Sequence, residues 1–144
     1  MLTGTIAVTT SAKIELIDVT TQINKAIANS GCKEGICYLY NPHTTSAITI
    51  NEGADPAVQE DMTTALKKLV PANINYKHLE GNSPAHIMTT LVGSSEIVFI
   101  SNGSVNLGTW QRIFFCEFDG PRSRTLNWRI IGANRPPYQK DSCY

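Results

Sequence analysis

The three histidines are the residues in this sequence best suited to ligand binding or acid–base chemistry. His78 and His86 are eight positions apart in YKHLEGNSPAH, where Gly81 and Pro84 shape the segment between them. Zinc ligands within one element are usually separated by two to five residues, so this spacing does not by itself indicate a metal site. A metal site built on these two histidines would need a third ligand, and His43 is the only remaining histidine. The spacing leaves open whether these histidines form one site or are unrelated.

Glu117 is the second candidate, because it lies in the apolar run RIFFCEF. A buried carboxylate must be paired, or its pKa rises through desolvation, which is one way to make a general acid or base. The alternative is a structural ion pair with Arg112, Arg122 or Arg124. Arg122 and Arg124 follow a Gly-Pro turn and can bind a phosphate through paired N–H groups, although a salt-bridged turn is the other interpretation.

The segment NPHTTSAITINE predicts a bend at Asn41–Pro42 and then a strand. Alternation along that strand would turn Ile48 and Ile50 towards the core. The opposite face would then carry a row of polar side chains: His43, Thr45, Thr49 and Asn51. The alternative is an ordinary solvated strand face.

Two segments predict helices. Residues 18–30 have apolar side chains at helical spacing, with Asp18 or Thr20 as a cap and Gly31 at the end. DPAVQEDMTTALKKLVP has Asp55 and Pro56 as start signals. Asp61 falls at the margin of this second helix's apolar stripe, where it can reach a loop or a subunit boundary or make a simple rim hydrogen bond.

The rest of the chain predicts strands and turns. Strands are expected in TGTIAVTT, HIMTTLV, EIVFIS, WQRIFFCEF and SRTLNWRII, and Asn102–Gly103 predicts a hairpin turn. WQRIFFCEF is apolar on both faces and is therefore expected to be buried on both. A long polar loop is predicted from Ala72 to Ala85, and a tail after Gly132. The class is α+β, with residues 1–144 in a single domain.

Composition limits the function. Twelve basic and twelve acidic residues give a net charge of zero, which argues against nucleic-acid binding by bulk charge and favours self-association. No apolar run is long enough to span a membrane, and the N-terminus lacks signal-peptide features. The four cysteines are expected to be reduced thiols, so a cytoplasmic location is predicted. The sequence contains no GxGxxG, P-loop, GxSxG or HExxH motif.

Four motifs together resemble the YjbQ family, also called the secondary thiamine-phosphate synthase family. They are PHTTSAITINE, YKHLEGNSPAH, LGTWQRIFFCEFDGPRSR and the closing IIG, and the resemblance covers about Gly4 to Gly132. It implies a mixed, barrel-like sheet with two main helices against it, a homotrimer, and a pocket near a subunit boundary. It also implies a weak thiamine-phosphate synthase activity, which joins a pyrimidine diphosphate to a thiazole phosphate and releases diphosphate.

The resemblance also assigns roles to residues. The catalytic set is His43, His78, His86, Glu117 and Asp61. The substrate-binding or phosphate-binding set is Thr44, Thr45, Asn51, Asn82, Trp110, Gln111, Arg122 and Arg124. The three histidines are also metal-ligand candidates, for zinc, nickel or magnesium, and no organic cofactor is expected. An anion site of imidazoles and arginine that holds a phosphate is the alternative.

Three functions therefore remain open at this point. The first is an enzyme that acts on small phosphorylated molecules, with thiamine-phosphate synthase activity. The second is a metal-dependent hydrolase or lyase with a three-histidine site. The third is a trimeric protein that binds a ligand without turnover. In each case the expected partners are a small molecule and further copies of the chain, not nucleic acid or a membrane.

Overall fold

The structure is a computed structural model that describes residues 1–133. The strands and helices follow in chain order: β1 (Leu2–Thr9), β2 (Glu15–Asp18), α1 (Thr20–Ser30), β3 (Gly35–Tyr40), β4 (Ser46–Glu52), α2 (Pro56–Leu69), α3 (Ser83–Val92), β5 (Ser95–Ser101), β6 (Ser104–Val105), β7 (Gln111–Glu117) and β8 (Ser123–Gly132). Nearly all of the predicted tail, including Cys143, lies outside the described residues.

The strands form two antiparallel layers. The five-stranded sheet has the order β1-β8-β3-β5-β6, and the three-stranded sheet has the order β2-β7-β4. The α+β class is confirmed, and the expected barrel-like sheet is a curled half-barrel. Two details of the expectation were wrong. Every strand pair within residues 1–133 is antiparallel, so the sheet is not mixed, and three helices are present instead of two.

Strand β7 lies at the centre of the core and is buried on both faces, as its unbroken apolar run predicts. Ile113 and Phe115 join a cluster with α1 and the five-stranded sheet. Phe114 and Cys116 face the other way, into a second cluster that includes Met88 of α3. Burial of such side chains contributes about 1.5–3 kcal/mol each, so this strand fixes the position of both layers.

Helices α1 and α2 begin and end close to where the sequence predicts. In α1 the N-cap residue is Val19, so neither Asp18 nor Thr20 takes the predicted cap position. Asp18 Oδ1 still accepts a hydrogen bond from the Thr20 N–H at 2.9 Å, and Gly31 ends the helix with φ 71°. In α2, Asp55 caps the first turn and Pro56 is the first residue. None of the α2 residues is buried, and Leu69 is largely exposed. The apolar stripe of α2 is therefore only partly covered by the described chain.

The predicted strand HIMTTLV is instead most of helix α3, and that prediction was wrong. Its β-branched residues favour a strand, but Pro84 lies in the first turn and Gly93 follows the last residue, both of which are helix boundary signals. The Thr89 and Thr90 hydroxyls donate to the carbonyls four residues earlier, at 2.9 and 3.1 Å. The predicted loop after residue 72 is shorter as a result, because residues 83–85 already belong to the helix.

The bend at Pro42 is present, but the strand after it starts later than predicted. β4 begins at Ser46, so His43 and Thr45 lie in the preceding loop, and Thr45 is buried. The predicted row of four polar side chains on one strand face is therefore not formed. The hairpin prediction is confirmed, with Asn102 at φ 55° and Gly103 at φ 82° between β5 and β6.

Other sequence predictions bear on chemistry and location. Among the described residues, Cys32, Cys37 and Cys116 are free thiols. Burial raises the pKa of both Cys37 and Cys116 to about 12, which makes these two thiols poor nucleophiles. Within residues 1–133, no helix has the length and apolar character needed to cross a membrane.

Candidate functional site

Two of the three histidines line one cleft. The loop Tyr40–Thr44 forms one wall, and His86, Thr89, Thr90, Gly93 and Ser94 form the other. The cleft has a volume of about 460 Å³. Its walls are tied together where the Asn41 N–H donates to the Ser94 carbonyl at 2.8 Å. The structure thus brings His43 and His86 together, although they are far apart in sequence.

The third histidine lies beside this cleft and does not line it. The rings of His78 and His86 are 5.5 Å apart, edge to face, with an interplanar angle of 80°. His78 is exposed, and its Nε2 is 3.8 Å from a carboxylate oxygen of Glu80. The loop that carries His78 therefore forms the rim next to His86.

His43 is held in a fixed orientation. Its backbone N–H donates to Asn41 Oδ1 at 3.2 Å, and its ring Nε2 accepts a hydrogen bond from the Thr125 backbone N–H at 2.9 Å. Burial lowers the pKa of His43 below its ordinary value, and the Arg124 guanidinium adds to this effect. The ring is therefore neutral near pH 7.

Behind the cleft, Glu117 and Arg124 form a buried ion pair. Arg124 donates from Nε and Nη2 to the two carboxylate oxygens at 2.8 and 2.6 Å. The Thr10 hydroxyl and the N–H groups of residues 118 and 119 also donate to this carboxylate. Arg124 Nη2 in addition donates to Thr45 Oγ1 at 2.8 Å. The pair therefore anchors the loop that carries His43.

These contacts determine what Glu117 can do. Burial raises the pKa of its carboxyl group, but the hydrogen bonds from Arg124, the Asp119 N–H and Thr10 outweigh this, and the net pKa is below its ordinary value. A carboxylate with five donors and no exposed surface is a weak proton acceptor. Of the two interpretations of Glu117 that the sequence allowed, the geometry therefore favours the structural ion pair over the general base. The catalytic role stays a prediction.

A second polar group lies at the start of α3. Asn82 Nδ2 donates to Asp119 Oδ2 at 3.0 Å, and Arg122 Nη2 donates to the same oxygen at 2.8 Å. Burial raises the pKa of Asp119, but these two partners outweigh it and hold the pKa below its ordinary value. The Oδ1 atom of Asn82 is buried and has no hydrogen-bond partner within the described chain. This group connects α3 to the turn after β7.

The remaining candidates lie elsewhere. Asn51, Trp110 and Gln111 line a separate cleft at the opposite end of the β4–β7 pair. Asp61 is exposed on α2, which contributes no residue to the cleft of His43 and His86. Within one chain the structure therefore does not bring all of the predicted site residues together, and the roles predicted for these four remain untested.

The three histidines do not have the arrangement that a metal site needs. Within residues 1–133, no group of three or more histidine, cysteine, aspartate or glutamate side chains has an arrangement that could hold a metal ion. The ring nitrogen Nε2 of His43 is already used by the Thr125 N–H. The donor set therefore does not fit a metal held by three histidines.

The family profile described as UPF0047 protein YjbQ-like matches residues 4–133, almost the range suggested by the motifs. The chain belongs to this family. It is 53% identical over 123 residues to UPF0047 protein MJ1081 of Methanocaldococcus jannaschii, a match that covers 85% of the chain and 89% of that protein. It is 42% identical to UPF0047 protein YugU of Bacillus subtilis over 89% of the chain and 98% of that protein.

Solved structures of the YjbQ-like family have the same fold. A crystal structure of an uncharacterised YjbQ/UPF0047 protein from Clostridium acetobutylicum matches with a TM-score of 0.86 and 47% identity, over 88% of this chain and 98% of that one. A YbjQ-like protein of unknown function from Sulfolobus solfataricus matches with a TM-score of 0.87 and 34% identity, over 92% and 97%. These likenesses establish the family and the fold of the chain.

Sequence reasoning missed several residues that shape the site. Asn41 is buried, and its Oδ1 accepts from the His43 N–H and from the Ser46 hydroxyl. The Asn-Pro dipeptide was an available signal, because asparagine commonly binds the backbone two residues on. Thr10 and Thr125 had no such signal, because their contacts with Glu117 and His43 span 107 and 82 residues.

Proposed function

We propose that this protein is an enzyme that acts on small phosphorylated molecules and has weak thiamine-phosphate synthase activity. The observation that carries the proposal is the cleft in which His43, Thr44 and His86 converge. Imidazoles and hydroxyls are suitable donors for phosphoryl oxygens. None of the described residues that line this cleft is acidic, so nothing in its walls repels an anion.

Arg124 supports the same proposal by its position behind the cleft wall. It is 7% exposed and influences His43 electrostatically. Because Glu117 neutralises most of its charge, its main effect is to hold Thr45 and hence the loop Tyr40–Thr44 in place. A preorganised loop of donors is what stabilisation of developing negative charge requires.

The proposed reaction is a substitution at the methylene carbon of the pyrimidine diphosphate. The C–O bond to the diphosphate breaks, the thiazole nitrogen forms the new C–N bond, and diphosphate leaves with the bonding electron pair. Stabilisation of the leaving group is the main catalytic demand, which hydrogen-bond donors and Mg²⁺ supplied in solution can meet. His43 and His86 are the residues we expect to contact the departing or resident phosphate.

The direct experiment is an assay of the purified full chain with the pyrimidine diphosphate, the thiazole phosphate and Mg²⁺, with thiamine phosphate measured by mass spectrometry. We expect product from the unaltered protein and a loss of at least tenfold in His86→Ala. A matched control is Lys68→Ala on the exposed side of α2, which should keep full activity. If the unaltered protein formed no more product than the His86→Ala variant, the proposed activity would be refuted.

We further propose that the protein is a homotrimer that assembles through an exposed apolar face of the five-stranded sheet. The face consists of Ile36, Tyr38, Tyr40, Ile97, Phe99 and Ile131, all of which are exposed. The register places Ile36 opposite both Phe99 and Ile131, so the side chains are contiguous. Contiguous exposed apolar surface of this kind is typical of protein interfaces.

This assembly face reaches the cleft. Tyr40 belongs to the face and also to the cleft wall. A neighbouring copy that covers the sheet face would therefore come close to His43. We expect the site to lie near a subunit boundary for this reason.

A further inference from the structure

The hydrogen bond between Thr125 and His43 has a structural origin in the sheet. β8 runs from Ser123, whereas its pairing with β3 ends where Tyr40 faces Asn127. The chain then turns away at Pro42, so within the described residues β8 continues without a strand neighbour on that side. The His43 ring takes that place, and its Nε2 accepts from the Thr125 N–H at 2.9 Å. The Thr125 hydroxyl is also close, at 3.3 Å.

This bond determines which ring nitrogen of His43 carries the proton. A backbone N–H is always a donor, so Nε2 must present its lone pair. A neutral imidazole has one N–H and one lone pair, so the proton must be on Nδ1. His43 is therefore a hydrogen-bond donor through Nδ1, the nitrogen not used by Thr125.

This hydrogen bond runs in the opposite direction to the one that a metal-bound histidine normally makes. A histidine that binds a metal through one nitrogen normally donates its other N–H to a carbonyl, a carboxylate or water. In His43 the second nitrogen accepts instead of donating. Metal binding through Nδ1 would require either loss of the remaining ring proton or rupture of the Thr125 bond, and both are costly.

We propose that Thr125 fixes His43 as the Nδ1–H tautomer, so that the cleft binds a phosphoryl oxyanion through this N–H and does not bind a metal ion through His43, His78 and His86. The choice of a phosphoryl ligand rests on the proposed function, whereas the tautomer does not. Thr44 and His86, which line the same cleft, supply further polar contacts for such a ligand. Thr125 is thus a positioning residue that sets the ligand class.

The tautomer can be measured without any substrate. Full-length protein labelled with ¹⁵N-histidine would be studied by long-range ¹H–¹⁵N NMR near pH 7.5, with His78→Gln and His86→Gln used for assignment. We expect Nδ1 of His43 to be protonated and Nε2 to be of the lone-pair type. A proton on Nε2 in the folded protein would overturn the proposal.

The ligand class is tested by two titrations of the same sample, with inorganic phosphate and with Zn²⁺ alone. Phosphate should shift the His43 Nδ1–H signal saturably, whereas Zn²⁺ should leave that proton in place even if it perturbs His78 and His86. An absence of any phosphate effect at saturating concentration would contradict the oxyanion site. Loss of the Nδ1 proton at one equivalent of Zn²⁺ would contradict the exclusion of a metal.

His43→Gln is the matched variant. The glutamine Oε1 can still accept from the Thr125 N–H, but the side chain offers no donor at the Nδ1 position. We expect the fold to be retained, as read by the Thr125 amide signal, and phosphate to bind at least tenfold more weakly. Unchanged phosphate binding would overturn the proposal. Failure of the synthase assay would leave these measurements intact, because none of them depends on turnover.

Discussion

The two ends of the β4–β7 pair carry predicted site residues in opposite physical states. At one end Ser46 lies opposite Glu117, and at the other Glu52 lies opposite Gln111. Glu117 is fully buried and has five donors, whereas Trp110, next to Gln111, is 66% exposed. The two ends are six positions apart along the strand, which is about 20 Å.

The difference indicates that the two ends of the strand pair have different roles. The Glu117 end is complete within one chain, because its charges are paired and it supports the loop of His43. The Gln111 end is open, and the side chain of Trp110 there is mostly exposed. If both ends serve one site, a second copy must bring them together, which agrees with the proposed assembly through the sheet face.

The largest expected effect is on stability, at the Glu117 end. Arg124→Met leaves a buried carboxylate without its cation, which typically costs about 3–5 kcal/mol of unfolding free energy. Urea denaturation followed by circular dichroism would measure it. The double variant Glu117→Gln with Arg124→Met removes the stranded charge and should be destabilised less than the sum of the two single variants. Additive losses would show that the pair does not act as a unit.

The next effect is on assembly. Phe99→Glu places a charge in the middle of the apolar sheet face, and we expect the mass in solution to fall from three times 15.8 kDa to that of one chain. Light scattering coupled to gel filtration would measure it. Gln22→Glu, on the exposed side of α1, adds the same charge and should leave the mass unchanged. A Phe99→Glu variant that remains a trimer would place the interface elsewhere.

Lowering the pH should reduce the free energy of unfolding through the titratable groups at the Glu117 end. The pKa of His43 is below its ordinary 6.5 in the fold, so its contribution to stability declines as pH falls below 6.5. The pKa of Glu117 is below its ordinary 4.5, so its contribution is lost as pH falls below 4.5 through the lowered value. The urea concentration at the midpoint of unfolding, measured from pH 8 to pH 3, should fall first below pH 6.5 and then further below pH 4.5. A flat profile would mean that these groups are not held in their deprotonated forms.

The smallest effect on stability is expected at the open end. Trp110→Ala should change the unfolding free energy by about 0.5 kcal/mol or less, because the ring is mostly exposed. If Trp110 binds substrate as predicted, KM for the pyrimidine diphosphate should rise several-fold with kcat nearly unchanged. An unchanged KM would remove Trp110 and its cleft from the site.

Some features of this protein could be predicted from local sequence signals, and others could not. The caps at Asp55–Pro56, the Asn102–Gly103 turn and the doubly buried β7 depend on local signals, and all three are present. The sequence of helix α3 predicts a strand because its β-branched side chains outweigh its boundary signals. The contacts of Glu117 with Arg124 and of His43 with Thr125 depend on tertiary structure. The sequence offered three candidate arginines for Glu117 but not which of them forms the pair, and it gave no indication of the contact between His43 and Thr125.

Recognition of a phosphoryl group by the His43 cleft is the property on which the proposed function depends most directly. Calorimetric titration of the protein with thiazole phosphate, and separately with the same thiazole alcohol without its phosphate, tests this claim. We expect the phosphate ester to bind at least tenfold more tightly, a difference of about 1.4 kcal/mol, and His43→Gln to abolish that difference. Equal binding of the two compounds by the unaltered protein would contradict the account.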